Sequence, residues 1–250
     1  MRSSWVKIGH VKLPRVLLGT SPFIGAGQFG SRAYAYYAAF YNKPEKVAEV
    51  VLAAAELGVV GVQPLPYGFL AEAIRMAQAE LGRELVVVAT IGPSDPLSDL
   101  EFFEGLDMRA ALLHGALTDE VSGRELEPLL AELRDRGLLA GYVTHKPMNM
   151  LERVRAGELP KPDLVLLPFN KLGYLMDAPA SRIAEALREL GLLAFGKKVL
   201  AAGRLRPREA FEFALGFGVL EGVAVGVVSR AEAEETFKAL AEVAPWLVPR

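Results

Sequence analysis

The chain has no cysteine and only three histidines in 250 residues. The first absence excludes disulfides, thiolate nucleophiles and zinc sites built on thiolates. Long apolar runs are missing too: stretches such as 85–89 and 223–228 fall far short of the roughly 20 residues that span a bilayer. The start, 1–12, alternates charged and apolar residues without the apolar core of a signal peptide. A cytoplasmic protein with no membrane partner is therefore expected. A net charge of −2 and a pI near 6.0 lack the basic footprint of a nucleic-acid binder, so no nucleic-acid partner is expected. Asn and Gln are scarce, Arg outnumbers Lys and there are 16 prolines, a composition that fits a thermophile's protein.

What the chain has is a rhythm. Eight times a short apolar run ends in a small or polar residue and is followed by an amphipathic stretch. The runs lie at 16–19, 59–63, 85–90, 110–114, 138–144, 164–169, 199–202 and 222–226. They lack polar alternation, as parallel strands covered on both faces require. Apolar residues recur every three or four positions at 44–57, 70–81, 124–136, 180–190, 207–217 and 230–243, the period of helices, and shorter helices are expected after strands three and five. Pro44, Pro96 and Pro207 suit first helical turns. The pattern predicts a single (β/α)8 barrel over 1–250, a usual length for that fold, with an N-terminal β-hairpin within 1–14 built from 6–8 and 11–13 around Gly9 and His10. A doubly wound open sheet would need a glycine fingerprint after its first strand, and Gly25-Ala26-Gly27 is a poor match.

In such a barrel the active site lies at the C-terminal ends of the strands. That rule nominates Thr20 and Ser21, Gln63 and Tyr67, Thr90, His114, Thr144 with His145 and Lys146, Asn170 with Lys171, Gly203 with Arg204, and Ser229 with Arg230. Cations are plentiful in this set and carboxylates nearly absent. Divalent-metal binding and paired-carboxylate glycosidase chemistry are therefore not expected, and an anionic small molecule is. The loops after strands seven and eight, the usual phosphate site of the fold, offer Gly203, Arg204, Gly226, Ser229 and Arg230. Ser229 and Glu232 also have capping-box spacing, which explains that pair without a ligand. The long first loop, 21–43, holds Phe23, Phe29, Tyr34, Tyr36, Tyr37, Phe40 and Tyr41. It reads equally as a lid with a helix at 32–40 or as packing for that helix or an oligomer contact; the oligomeric state is not legible.

Several of these segments resemble aldo-keto reductases. The hairpin followed by Arg15-Val16-Leu17-Leu18-Gly19-Thr20, then Tyr67-Gly68, Leu112-Leu113-His114 and Pro168-Phe169-Asn170 are similar to that family's motifs in order, and 222–230 is similar to its strand eight and cofactor loop. The resemblance implies an NADPH-dependent carbonyl reduction in which a Tyr donates a proton, a Lys and an Asp tune it, and a His orients the substrate. Tyr67 and His114 match the Tyr and His. The Asp and Lys positions fall on Val62 and Ile91, so both charged tuners are missing. Phenols ordinarily titrate near ~10, and one without a neighbouring cation is a reluctant proton donor at neutral pH.

Three readings follow. The first is a reductase-related barrel with an altered centre, using Tyr67, His114 and Lys146, with Thr20, Gln63, Thr90, His145, Asn170 and Lys171 around the substrate. The second is a non-redox isomerase or aldolase using Lys146 or Lys171, since a desolvated lysine can form a Schiff base. The third is a non-catalytic binding barrel.

Overall fold

The computed structural model describes residues 3–247; the outermost positions of the expected hairpin and domain, 1–2 and 248–250, lie outside the described residues. Strands β1 (Trp5–Ile8) and β2 (Val11–Pro14) form the expected antiparallel hairpin, turning at Gly9 with φ +57°. Eight parallel strands then close a barrel: β3 (Val16–Gly19), β4 (Gly61–Gln63), β5 (Val86–Ile91), β6 (Asp107–Leu113), β7 (Leu139–Val143), β8 (Leu164–Pro168), β9 (Ala194–Lys197) and β10 (Leu220–Val225), with β10 pairing back onto β3.

Seven of the eight strands fall within or across the expected runs. The seventh does not. The apolar run 199–202 lies just beyond β9, and Ala201 and Ala202 have φ of +48° and +56°, which no strand residue adopts. The strand is instead Ala194–Lys197, whose glycine and lysine disguise it.

Side chains alternate across each strand, and the two faces form two apolar clusters. Leu17, Val86, Val88, Ala110, Leu112, Leu164, Leu166, Phe195 and Ala224 fill the barrel interior, closed at the N-terminal end by Val6 and Leu13 of the hairpin. Val16, Leu18, Val62, Val87, Ala89, Ile91, Ala111, Leu113, Val165, Leu167 and Val225 face the helices. Apolar residues on both faces explain why the strands read as unbroken runs.

The outer layer comprises α1 (Ala33–Phe40), α2 (Pro44–Glu56), α3 (Gly68–Leu81), α4 (Gly115–Thr118), α5 (Gly123–Asp135), α6 (Pro147–Arg155), α7 (Ala180–Leu190), α8 (Pro207–Gly216) and α9 (Arg230–Val243). Pro44, Pro147 and Pro207 open α2, α6 and α8, where a missing N–H has no intrahelical partner to lose. Pro96 does not open a helix: it sits in a turn ahead of a short 3₁₀ segment, Ser98–Phe103. Among the described residues no helix is long and apolar enough to cross a membrane.

Candidate active site

The same alternation that fills the interior places its last layer at the C-terminal mouth. Continuing the inward positions by two residues from Leu17, Gly61, Val88, Leu112, Val143, Phe195 and Ala224 reaches Gly19, Gln63, Thr90, His114, His145, Lys197 and Gly226. All seven line a cavity of about 1150 Å³, measured out to its open rim. Gly226 is required there, since a Cβ would stand 2.7 Å from Pro22 Cγ.

The layer is knit by hydrogen bonds. Thr20 Oγ1 donates to the Gln63 carbonyl at 3.1 Å and accepts from Leu65 N at 3.2 Å, so Thr20 fixes the turn after β4. Gln63 Nε2 donates to Thr90 Oγ1 at 2.6 Å. His114 caps α4, its Nδ1 accepting from Ala116 N at 3.1 Å. In the neutral ring that bond assigns the proton to Nε2. Burial, with help from the neighbouring His145, holds the His114 pKa below its usual 6.5, so the neutral form prevails at pH 7.

His145 stands 5.7 Å from His114, ring centre to ring centre. Its backbone N donates to Asp119 Oδ2 at 2.8 Å, and its Nδ1 lies 3.6 Å from the same oxygen, close enough for attraction but long for a hydrogen bond. Thr144 Oγ1 donates to Asp119 Oδ1. Burial would raise the Asp119 carboxyl, but the contacts from His145 and Thr144 outweigh it and hold the pKa below normal. The attraction of Asp119 raises the His145 pKa, yet burial and the charges of Lys197 and Lys198 together bring it below 6.5.

Lys197, at the tip of β9, and Lys198, the next residue, both line the cavity. Consecutive strand residues normally point to opposite faces. Lys198 escapes this through a left-handed backbone, φ +54°, a conformation costing a non-glycine residue on the order of 1 kcal/mol. Burial pushes the Lys197 ammonium well below its usual 10.5, with a further push from Lys198, and burial lowers Lys198 to about 8. Unlike Lys46, Lys146, Lys171 and Lys238, each held by a glutamate at 2.6–3.3 Å, these two lysines have no ion pair among the described residues.

The first loop covers this mouth. Gln28, Phe29, Arg32 and Tyr36 line the cavity, Arg32 Nη2 donates to the Ala202 carbonyl, and Tyr174 Oη donates to the Gln28 carbonyl at 2.7 Å. The aromatic residues divide their duties. Phe23 and Phe40 pack at 5.0 Å beneath the loop, Tyr37 stacks on Tyr41 at 4.4 Å, and Tyr34 is 80% exposed.

Of the residues nominated from sequence, the structure gathers Ser21, Gln63, Thr90, His114, His145, Gly203 and Gly226 around the cavity. Others lie apart from it. Tyr67 packs on Tyr41 and Phe69, ring centres 6.1 and 5.9 Å away, and is not among the lining residues. Lys146 pairs with Glu120 at 2.6 Å and Lys171 with Glu209 at 2.7 Å, both half exposed. Asn170 is buried and braces its loop, donating to Tyr174 O and accepting from Tyr174 N. Arg204 lies over the Tyr174 ring at 4.0 Å, and Arg230 pairs with Glu56. Val62 and Ile91 are buried in the helix-facing layer. Lys197, Lys198 and Asp119 escaped the sequence reading; placing strand seven at 194–197 would have exposed Lys197 as its inward-facing tip.

Nicotinamide nucleotides carry phosphates, and the N-terminus of α9 is where this fold would offer them free N–H groups. Here Ser229 Oγ accepts from Glu232 N at 3.1 Å and Glu232 Oε2 accepts from Val228 N at 2.8 Å. The capping box takes up the Glu232 and Val228 amides, the Glu232 carboxylate lies on the cavity wall, and Arg230 is turned to Glu56. A carboxylate at the helix start and a cation drawn away from it disfavour a phosphate there.

No protein-family model matches the chain, and no curated protein matches it. Solved structures do. A Pseudomonas aeruginosa protein described as an aldo-keto reductase is 18% identical, with 96% of this chain and 95% of that one covered at a TM-score of 0.67. The aldose reductase of Schistosoma japonicum is 15% identical, with 100% and 93% covered at 0.64, and that of Giardia lamblia 13%, with 91% and 87% covered at 0.61. At such identities the likeness is one of fold: the chain is built on the eight-stranded barrel of the aldo-keto reductases.

Proposed function

We propose that the protein is a barrel enzyme that binds a small anionic carbonyl compound in the mouth cavity. The observation that carries this reading is the convergence of Lys197, Lys198, His114 and His145 on one cavity, opposed by the carboxylate of Asp119 beside His145 and that of Glu232 on the cavity wall. Burial depresses the proton affinity of all four, and repulsion from neighbouring positive groups adds to it at His114, His145 and Lys197. An anion reverses both effects: unit charges 4 Å apart attract by about 4 kcal/mol at an effective dielectric of 20. Ligand binding should therefore draw protons into the site. Gln63 and Thr90, already bonded to each other, supply polar atoms to orient the ligand.

A native-state ligand raises thermal stability, so unfolding is followed at pH 7 and pH 9.5 with pyruvate, dihydroxyacetone phosphate, phosphate and NADPH. The reading expects one or more of the three small anions to raise the melting temperature at pH 7, and less so at pH 9.5, where Lys198 has lost its proton. If none of the three acts at either pH, the reading fails. The second reading, nicotinamide-dependent carbonyl reduction, is favoured by the fold and opposed by the capped start of α9. Saturable NADPH binding would restore it.

A further inference from the structure

We infer that Lys197 is a covalent nucleophile that forms an imine with the carbonyl carbon of the bound compound, a small aldehyde or ketone bearing a carboxylate or phosphate. This deepens the reading just given and rests on it. The geometry comes first. Lys197 ends a strand whose previous inward residue, Phe195, is fully buried in the barrel core, so its amine emerges from the floor of the mouth. Register with Pro168 and a bond from Phe169 N to the Lys197 carbonyl at 3.1 Å fix its backbone. No carboxylate holds the amine, and a strained left-handed residue brings a second amine to the same cavity.

Two neighbours complete the arrangement. His114 has its Nδ1 committed to Ala116 N, leaving Nε2–H as its free donor to a carbonyl oxygen. His145, with Nδ1 beside Asp119, keeps Nε2 to accept and return a proton. A buried amine next to a like charge stays neutral at lower pH than a free one, which makes it a nucleophile under ordinary conditions.

The chemistry balances without a redox partner. The neutral amine adds to the carbonyl carbon; a C–N bond forms, and the C=O π pair moves to oxygen, which accepts a hydrogen bond from His114 Nε2–H. The resulting ammonium passes one proton to His145, which hands it to that oxygen, leaving a neutral carbinolamine. The hydroxyl then leaves as water, taking a proton from solvent as it goes, while the nitrogen lone pair forms the C=N bond. The net change is uptake of one proton and release of one water, giving an iminium. That cation acidifies the adjacent C–H for removal by His145, so the reaction classes served are carbon–carbon bond making or breaking and isomerisation next to a carbonyl.

The full-length protein is incubated with pyruvate or dihydroxyacetone phosphate, reduced with borohydride and mapped by peptide mass spectrometry. One secondary-amine adduct per chain is expected, on Lys197, absent in Lys197→Met, with exchange of the probe's α-hydrogens in heavy water lost in the same variant. A probe that raises the melting temperature without an adduct on Lys197, or adducts confined to Lys198 or exposed lysines, overturns the inference while leaving anion binding intact. Pentane-2,4-dione, which carries no anionic group and condenses with neutral amines, decides the matter should no anion bind or the variant fail to fold. Lys197 should then react at pH 7.5 at least about tenfold faster than any exposed lysine, since the neutral fraction grows tenfold for each unit by which a pKa falls. Equal rates refute a reactive Lys197.

Discussion

Replacing Lys198 with methionine should make the protein more stable at pH 7, and the gain should fade as the pH rises. Burial holds Lys198 at about 8, against 10.5 for an unburied lysine. Below pH 8 the residue is protonated in both folded and unfolded chains, and the folded state carries the whole cost of that proton. At about 1.4 kcal/mol for each tenfold change in proton affinity, the cost is about 3 kcal/mol. Between pH 8 and 10.5 the unfolded chain binds more protons than the folded one, so stability climbs with pH; about 1 kcal/mol of the cost remains at pH 10. Methionine removes the charge, keeps most of the length, and inherits the same left-handed backbone, so the strain cancels in the comparison. The expected gain at pH 7 is about 2–3 kcal/mol, trimmed because the mouth is partly open to water, or roughly 4–12 °C in melting temperature for a domain of this size. Urea unfolding followed by circular dichroism at pH 7 and pH 10 measures both numbers. A variant no more stable than the parent at pH 7, or one with the same gain at both pH values, would show that Lys198 pays no burial penalty.

Further outcomes follow from the same geometry. Asp119→Asn weakens the acceptor that holds Thr144 and the His145 amide and should cost about 1–3 kcal/mol in chemical unfolding, while removing the attraction that raises His145 should bring its ring titration, followed by NMR, to lower pH. Gly115→Ala puts a Cβ 2.2 Å from His145 Nδ1; the ring must move, with a loss of about 1–3 kcal/mol and a displaced His145 resonance. Tyr67→Phe should leave adduct formation on Lys197 unchanged and stability within about 0.5 kcal/mol, whereas a hundredfold loss of reaction would return the tyrosine to the centre of the chemistry.

The barrel was legible because burial on both strand faces writes itself as apolar runs, and because prolines and helical periods separate those runs. The site was harder to read. Strand seven went astray since 199–202 is more apolar than 194–197, and only the backbone shows that Ala201 and Ala202 turn left-handed. A strand at 199–202 leaves Lys197 ahead of its first residue rather than at the tip of Ala194–Lys197. Tyr67 and Lys146 were nominated by proximity to strand ends, but packing on Tyr41 and pairing with Glu120 take them elsewhere. Asp119 arrives from the short α4 and reaches Thr144 across 25 positions of sequence, a tertiary contact with no local signature. Gln63, Thr90, His114 and His145 lie on the cavity wall because alternation alone carries an inward-facing strand to its inward-facing tip.

The contacts over the mouth join three loops rather than one. Arg32 of the first loop grips the Ala202 carbonyl, Tyr174 of the loop after β8 grips the Gln28 carbonyl, and Arg204 of the loop after β9 lies against Tyr174. Parting this clasp breaks two hydrogen bonds, one of them to a charged group, for about 3 kcal/mol. The shut form then outnumbers the open one by roughly a hundredfold. A compound held in the cavity would pass beside this clasp on its way out, so the grip of Arg32 and Tyr174 would bear on how fast it leaves.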